Sequence, residues 1–224
     1  MPIENRNSKL VLIMNLSGNL FIPVEHGKLE AILKEPTERF RGVALVAHPH
    51  PLGGGTMHNK VVFRAAAGLV EAGLVTLRFN FRGVGLSTGI HDEGRGEQDD
   101  IRTALDFLAE NYPNEPITFA GFSFGSRFGT EIAINDPRIV RLISIGTPLD
   151  KYDYSFLKDC EKPILFVHGD SDEFGKVENL QQVFESLTKT DDKEIVIINN
   201  CGHFFDKHLE ELKNTIRDWV LNHI

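Results

Sequence analysis

From residue 41 onward, continuous apolar segments rich in β-branched and aromatic residues alternate with segments whose apolar residues recur every three or four positions. This alternation predicts a mostly parallel sheet with helices on both faces, because a parallel strand is buried on both sides and needs a crossover to reach its neighbour. Six strands are predicted, over Gly42–Ala47, Leu74–Phe81, Ile117–Phe122, Arg141–Ile145, Pro163–His168 and Glu194–Asn199. Five helices are predicted, over Asn59–Glu71, Glu97–Asn111, Phe124–Asn135, Val177–Thr188 and Phe204–His223.

Two further segments complete the predicted architecture. Leu20–Pro23 and Leu29–Leu33 flank a His26-Gly27 turn, which predicts an antiparallel hairpin at one edge of the sheet. The connection from Ile145 to Pro163 holds at most one small helix, so no large cap domain is expected there. With 224 residues, 41% of them hydrophobic, the chain suffices for one well-filled core. We therefore predict a single α/β domain over residues 1–224.

Composition limits the classes of partner. The net charge of -8 disfavours nucleic acids and anionic membranes, which both require basic patches, and favours small or neutral partners. No apolar run approaches the roughly 20 residues of a membrane span, and Leu10 to Met14 is too short for a secretory signal core. A cytoplasmic location is therefore expected. The spacing of Cys160 and Cys201 fits neither a metal site nor a redox motif, which favours reduced structural thiols.

The segment Gly121-Phe122-Ser123-Phe124-Gly125 is a G-x-S-x-G motif between a predicted strand and a predicted helix. On a tight turn of this kind the serine adopts a strained conformation that exposes its hydroxyl, and the flanking glycines let the chain pass closely. Ser123 is therefore a candidate nucleophile.

A serine nucleophile needs a histidine base and a carboxylate that orients the imidazole. His203 lies just past the last predicted strand, where a loop histidine faces the strand ends; a surface or helix-capping role is the alternative. For the acid we favour Asp172, which follows the strand Pro163–His168. Asp170 and Asp150 are the rivals, the first of which has the alternative role of hydrogen-bonding its own turn.

Two backbone N–H groups must stabilise the negative oxygen that forms during such an attack. One is predicted to be that of Phe124, directly after the serine. The other should come from the loop that follows Gly42–Ala47, where Pro49 and Pro51 have no N–H. His50 and Leu52 remain, and His50 is preferred.

The surrounding loops suggest what the site binds. Leu52, Phe122, Phe174 and Phe204 are predicted to contact an apolar acyl or aryl group of the substrate. A zinc site formed by His48, His50 and His58 is disfavoured, because no nearby cysteine or carboxylate completes the ligand set. The loop Gly83–Ser87 lacks the third glycine of a dinucleotide motif and the lysine of a nucleotide-phosphate motif. No metal and no cofactor is expected.

Taken together, these motifs resemble those of the α/β-hydrolase superfamily, and within it those of small prokaryotic serine hydrolases related to the dienelactone-hydrolase-like group. The resemblance covers nearly the full length of the chain. It depends on the segments His48–Pro51, Gly53–Gly55, Asn59–Val62, Arg82–Ser87, Gly121–Gly125, His168–Asp172 and Gly202–Phe205. Dienelactone hydrolases use a cysteine at the position of Ser123. The resemblance implies a single-domain α/β-hydrolase fold.

The predicted function is hydrolysis of carboxylic esters of short to medium acyl chain through an acyl-enzyme intermediate. The expected partner is thus a small-molecule ester, and the oligomeric state is left open. A thioesterase or peptidase would use the same residues, because one apparatus serves all acyl transfers. A ligand-binding protein without catalysis is the alternative from another class.

Overall fold

The structure, a computed structural model, describes residues 17–224 of the chain. Within that range the backbone forms eight strands: β1 Gly18–Val24, β2 Gly27–Lys34, β3 Gly42–Ala47, β4 Leu74–Phe79, β5 Ile117–Phe122, β6 Ile139–Ile145, β7 Ile164–Gly169 and β8 Lys193–Ile198. The same range contains five α-helices: α1 Lys60–Glu71, α2 Arg95–Asn111, α3 Phe124–Ala133, α4 Val177–Ser186 and α5 Leu209–Asn222. Two short 3-10 helices cover Pro51–Gly53 and Ser155–Asp159.

All eight strands form one sheet in the order β1-β2-β4-β3-β5-β6-β7-β8. Strands β3 to β8 run parallel to their neighbours among themselves, whereas β2 pairs antiparallel with β4, and β1 antiparallel with β2. The predicted mostly parallel sheet with an N-terminal antiparallel hairpin at its edge is confirmed. The carboxyl ends of the six parallel strands therefore share one edge of the sheet.

Helices cover both faces of this sheet, and the side chains of β3 show how the faces divide. Val43 and Leu45 belong to the core cluster that contains residues of α2, α3 and α4. Ala44 and Val46 belong to the cluster formed with α1 and α5. Successive residues of a strand point to opposite faces, so a central strand buried on both faces must be apolar throughout. Burial on both faces therefore explains the continuous apolar runs in the sequence.

Several element boundaries differ from the predicted ones by a few residues, and two of these differences change loops near the strand ends. Helix α5 begins at Leu209 rather than at Phe204, because Phe205 and Lys207 adopt left-handed conformations, with φ of 54° and 68°. Strand β4 ends at Phe79 rather than at Phe81, since the N–H of Phe81 donates to the ring of His48 and not to a strand. Both differences lengthen loops at the carboxyl edge of the sheet.

Three smaller predictions concern the β6–β7 connection, the two cysteines and membrane-spanning helices. The connection from β6 to β7 contains one small helix, Ser155–Asp159, as predicted. Cys160 and Cys201 are buried free thiols. Among the helices described, none is both long and apolar enough to cross a bilayer. The segment Leu10 to Met14 lies outside the described residues.

Candidate active site

Ser123 lies on the sharp turn between β5 and α3. Its φ of 54° and ψ of -117° are strained values for a residue with a side chain, and its N–H donates to the carbonyl of Ile145 at 3.0 Å. A β-carbon on Gly121 would lie 2.5 Å from the Gly125 carbonyl oxygen, and one on Gly125 would lie 2.5 Å from that of Ala47. The turn can therefore close only where both flanking residues are glycine.

The glycine requirement gives a stability prediction. Gly125→Ala should lower the free energy of unfolding by about 1–3 kcal/mol, because the added methyl group meets backbone atoms that cannot move aside. Chemical denaturation measures the difference. Gly53→Ala is the matched control, since its methyl group would lie 3.7 Å from His50 Cβ, an ordinary contact distance. Equal denaturation midpoints for wild type and Gly125→Ala would contradict the prediction.

The structure brings Ser123, His203 and Asp172 together in one hydrogen-bonded line. His203 Nε2 lies 2.9 Å from Ser123 Oγ, and His203 Nδ1 lies 2.8 Å from Asp172 Oδ2. The three residues follow β5, β8 and β7, whose carboxyl ends are neighbours at the same edge of the sheet. With Nδ1–H donating to the carboxylate, Nε2 is the nitrogen that accepts the serine proton. This is the geometry that nucleophilic catalysis by serine requires.

The carboxylate of Asp172 is fully enclosed and held from several sides. Its Oδ1 accepts the Phe174 N–H at 2.8 Å, while its Oδ2 lies 3.7 Å from Nε2 of His168. His168 Nε2–H donates to the Gly175 carbonyl at 2.6 Å, and burial lowers the pKa of His168, so this ring is neutral. His168 therefore supports the acid loop, a role that the sequence interpretation missed. Its place at the end of a buried strand, directly before that loop, was the available signal.

The two rival acids lie elsewhere. The carboxylate of Asp170 accepts the backbone N–H groups of Asn200 and Cys201, at 2.9 and 3.0 Å, and these bonds lower its pKa. Asp170 thus fastens the chain just ahead of the histidine loop. Asp150 instead accepts from the side chain of Asn179 at 2.6 Å. Of the three candidates, only Asp172 hydrogen-bonds to the His203 ring.

Aromatic rings hold the His203 imidazole in place. The centroids of Phe122, Phe174 and Phe204 lie 4.9, 4.6 and 5.2 Å from the centroid of His203. The backbone N–H of His203 donates to Glu173 Oε2 at 3.3 Å. Only 3% of His203 is exposed to solvent, so its ring has little freedom to leave the line with Ser123.

Among the described residues, two backbone N–H groups without a partner belong to residues that line the same cavity as Ser123. Phe124 is the first residue of α3, and His50 precedes the 3-10 turn Pro51–Gly53. In the described part of the chain, neither N–H donates a hydrogen bond, and both residues line the cavity. The Leu52 N–H, in contrast, donates to His50 Nδ1 at 3.2 Å. The geometry therefore favours His50 over Leu52 as the second donor.

His48 fixes this loop to the end of β4. Its Nε2 accepts the Phe81 N–H at 3.0 Å, and its Nδ1–H donates to the Pro49 carbonyl at 2.6 Å. Complete burial lowers its pKa to about 3, so the ring is neutral and structural. Across residues 17–224, no three His, Cys, Asp or Glu side chains converge in a way that could hold a metal ion, so His48, His50 and His58 do not form one site.

A cavity of about 430 Å³ opens at Ser123 and His203. Phe174 and Phe204, two of the four residues predicted to contact the substrate, line this cavity. The prediction for Leu52 and Phe122 needs correction, since neither lines it. Leu52 is 76% exposed on the outside of its turn, and Phe122 is fully buried behind His203. The wall also contains residues that the sequence interpretation missed, namely Asn59, Pro148, Lys151 and Tyr152.

Comparison with known proteins shows the family to which the chain belongs. Residues 41–219 match the family model for an alpha/beta hydrolase domain. The uncharacterized protein RP471 of Rickettsia prowazekii is 37% identical over an alignment of 202 positions, which covers 87% of this chain and 85% of that protein.

Two solved structures are similar over most of their length. One is XC6422 of Xanthomonas campestris, described as an α/β serine hydrolase without a lid, with 32% identity and a TM-score of 0.86 over 94% of this chain and 96% of that one. The other is an α/β serine hydrolase homologue from Coxiella burnetii, with 34% identity and a TM-score of 0.82 over 89% of this chain and 95% of that one. The family model spans well over half of the sequence, and the two solved structures are more than 30% identical over most of the chain. The chain therefore belongs to the family of alpha/beta hydrolase domains.

Proposed function

We propose that this protein is a serine hydrolase that cleaves carboxylic esters through an acyl-enzyme intermediate. The observation that carries the proposal is the hydrogen-bonded line that begins at Ser123 Oγ, in an open cavity, and runs through His203 to the buried Asp172. Membership of the hydrolase family and the serine hydrolase description of XC6422 support it.

The proposed reaction has two halves, acylation of Ser123 and hydrolysis of the acyl-enzyme, and His203 moves the proton in both. Ser123 Oγ bonds to the ester carbonyl carbon as its proton moves to His203 Nε2, and the backbone N–H groups of Phe124 and His50 stabilise the resulting oxyanion. Asp172 stabilises the imidazolium. His203 then gives the proton to the departing alcohol, which leaves the acyl group on Ser123. A water molecule then gives a proton to His203 as its oxygen bonds to the acyl carbon. The bond from that carbon to Ser123 Oγ breaks, His203 returns the proton to Oγ, and the acid leaves.

The oxyanion assignment to a backbone group can be tested with proline. His50 has φ of -50° and ψ of 120°, values that proline adopts, so His50→Pro should remove the N–H with little change in the backbone. We expect kcat for an aryl ester to fall by about 10²- to 10³-fold. His50→Ala removes the ring and keeps the N–H, so it should retain far more activity. Equal losses in the two variants would assign the effect to the ring instead.

The cavity favours esters with short to medium acyl chains. Its volume of about 430 Å³ lies at the lower end of small-molecule sites, and the connection after β6 supplies no cap that could enclose a long chain. Rates on an ester, a thioester and an anilide of one acyl group test the reaction class. The proposal requires the ester to be hydrolysed fastest relative to its uncatalysed rate. Absence of turnover on all three would favour a binding protein.

A further inference from the structure

The turn after β6 places one cationic side chain on the wall of the cavity. Lys151 and Tyr152 both line the cavity, whereas no aspartate or glutamate of the described chain does so. Within residues 17–224, the Lys151 ammonium forms neither an ion pair nor a hydrogen bond; its described contact is the face of Phe174. Lys151 is exposed to solvent, so in a chain of net charge -8 an unpaired cation lies at the rim of the cavity.

The ammonium lies on the part of the cavity wall that Phe174 forms. Lys151 Nζ is 5.8 Å from the centroid of the Phe174 ring, and that ring is 4.6 Å from the centroid of His203. Lys151 makes no hydrogen bond with Ser123, His203 or Asp172, whose own bonds are complete without it. It is thus placed to meet a part of the substrate remote from the reacting carbonyl.

The backbone beneath Lys151 is fixed by the acid loop. The Lys151 N–H donates to the Pro148 carbonyl at 3.0 Å, and the Asp150 N–H donates to the Phe174 carbonyl at 3.0 Å. The two segments lie so close that a β-carbon on Gly175 would be 2.2 Å from the Thr147 carbonyl oxygen. The backbone of Lys151 is therefore tied to the loop that carries Asp172.

Tyr152 supplies a second donor to the same cavity. Burial raises the pKa of its phenol, so the hydroxyl keeps its proton at neutral pH. Its ring packs edge to face against Phe128, with centroids 5.6 Å apart, and its hydroxyl makes no hydrogen bond to another described residue. One cation and one neutral O–H donor on the wall of a largely apolar cavity are suited to a single carboxylate.

We propose that Lys151, assisted by Tyr152, binds a carboxylate that the ester substrate carries away from the scissile bond. The substrate class is then esters with an apolar body and one anionic group, such as monoesters of dicarboxylic acids or aryl esters bearing a carboxylate. This inference rests on the proposed ester hydrolysis and adds its specificity. It also departs from the sequence-based expectation, in which the aromatic residues alone favoured an uncharged acyl or aryl group.

The test uses two matched pairs of esters that place the charge on either side of the scissile bond. Mono-4-nitrophenyl glutarate is compared with 4-nitrophenyl pentanoate, and 4-acetoxybenzoate with 4-acetoxybenzamide. The measured quantity is the ratio of kcat/KM for the charged ester to that for the neutral one. In at least one pair, Lys151→Met should lower this ratio by about fivefold, mostly through KM, as expected for a partly exposed charge pair. Lys151→Glu should lower it further, and Tyr152→Phe should lower it in the same pair.

Lys158→Met is the control, because it removes the same charge from an exposed position outside the cavity wall and should keep the wild-type ratio. High salt should reduce the ratio in wild type but hardly in Lys151→Met, since screening acts only where the charge pair exists. If neutral esters are hydrolysed and the ratio is the same in wild type and Lys151→Met for both pairs, the role of Lys151 is disproved. If no ester is hydrolysed at all, the proposed function fails, and this inference with it.

Discussion

Replacing Ser123 with alanine is expected to lower ester hydrolysis by at least about 10⁴-fold and to abolish covalent labelling by a fluorophosphonate probe. The change removes the atom that attacks the carbonyl and leaves the other groups in place. The fold should persist, because alanine tolerates φ of 54° no worse than serine, and the Ser123 N–H bond to Ile145 is a backbone contact. Intact-protein mass spectrometry measures labelling, and thermal denaturation measures the fold.

Ser126 provides the matched control for that experiment. It lies three residues further along, in α3, and its hydroxyl is buried in a network with Ser144 at 2.9 Å and Tyr154 at 2.8 Å. Ser126→Ala should therefore lower stability, because it leaves buried hydroxyl groups with fewer partners, and should keep the labelling. Undiminished labelling of Ser123→Ala would show that another residue is the nucleophile.

The sheet could be predicted from the sequence because burial on two faces forces continuous apolar strands. The beginning of α5 could not. Phe204 and Phe205 continue the apolar spacing of the helix, yet Phe205 and Lys207 have positive φ, which non-glycine residue types do not reveal. Tertiary contacts, here the burial of Phe205 between α1 and α5, determine this local conformation. The consequence for the site is that Phe204 lies on a loop and lines the cavity.

Chain order was enough to predict which residues meet at the strand ends, but it did not predict where each side chain points. Phe122 adjoins Ser123 in the sequence, yet along β5 it shares the face of Ala120, which packs with α1 and α5. Strand alternation contained this information, since neighbours two apart face the same side. Lys151 and Tyr152 had no such signal. They lie on an irregular turn, and only the path of the backbone brings them to the cavity.

The Asp172→Asn variant is expected to lower kcat by about 10⁴-fold while its fold is retained. Asparagine has the same shape, so its oxygen can still accept the Phe174 N–H. Its NH₂ group would then face His203 Nδ1 in place of the carboxylate oxygen at 2.8 Å. That donor requires Nδ1 to be an acceptor, which puts the ring proton on Nε2, opposite Ser123 Oγ. An imidazole in this tautomer cannot take the serine proton, and no negative charge remains to stabilise its cation.

Asp170→Asn separates this effect from a general disturbance of the loop, because the two aspartates are two residues apart and follow the same strand. Asp170 accepts two backbone N–H groups and makes no bond to the imidazole, so its loss should lower the denaturation midpoint and leave kcat within about tenfold of wild type. Steady-state kinetics and denaturation of both variants give the comparison. A larger loss of kcat in Asp170→Asn than in Asp172→Asn would reverse the assignment of the acid. The opposite pattern would show that the enclosed carboxylate acts through the tautomer of His203, and the exposed one through the shape of the loop.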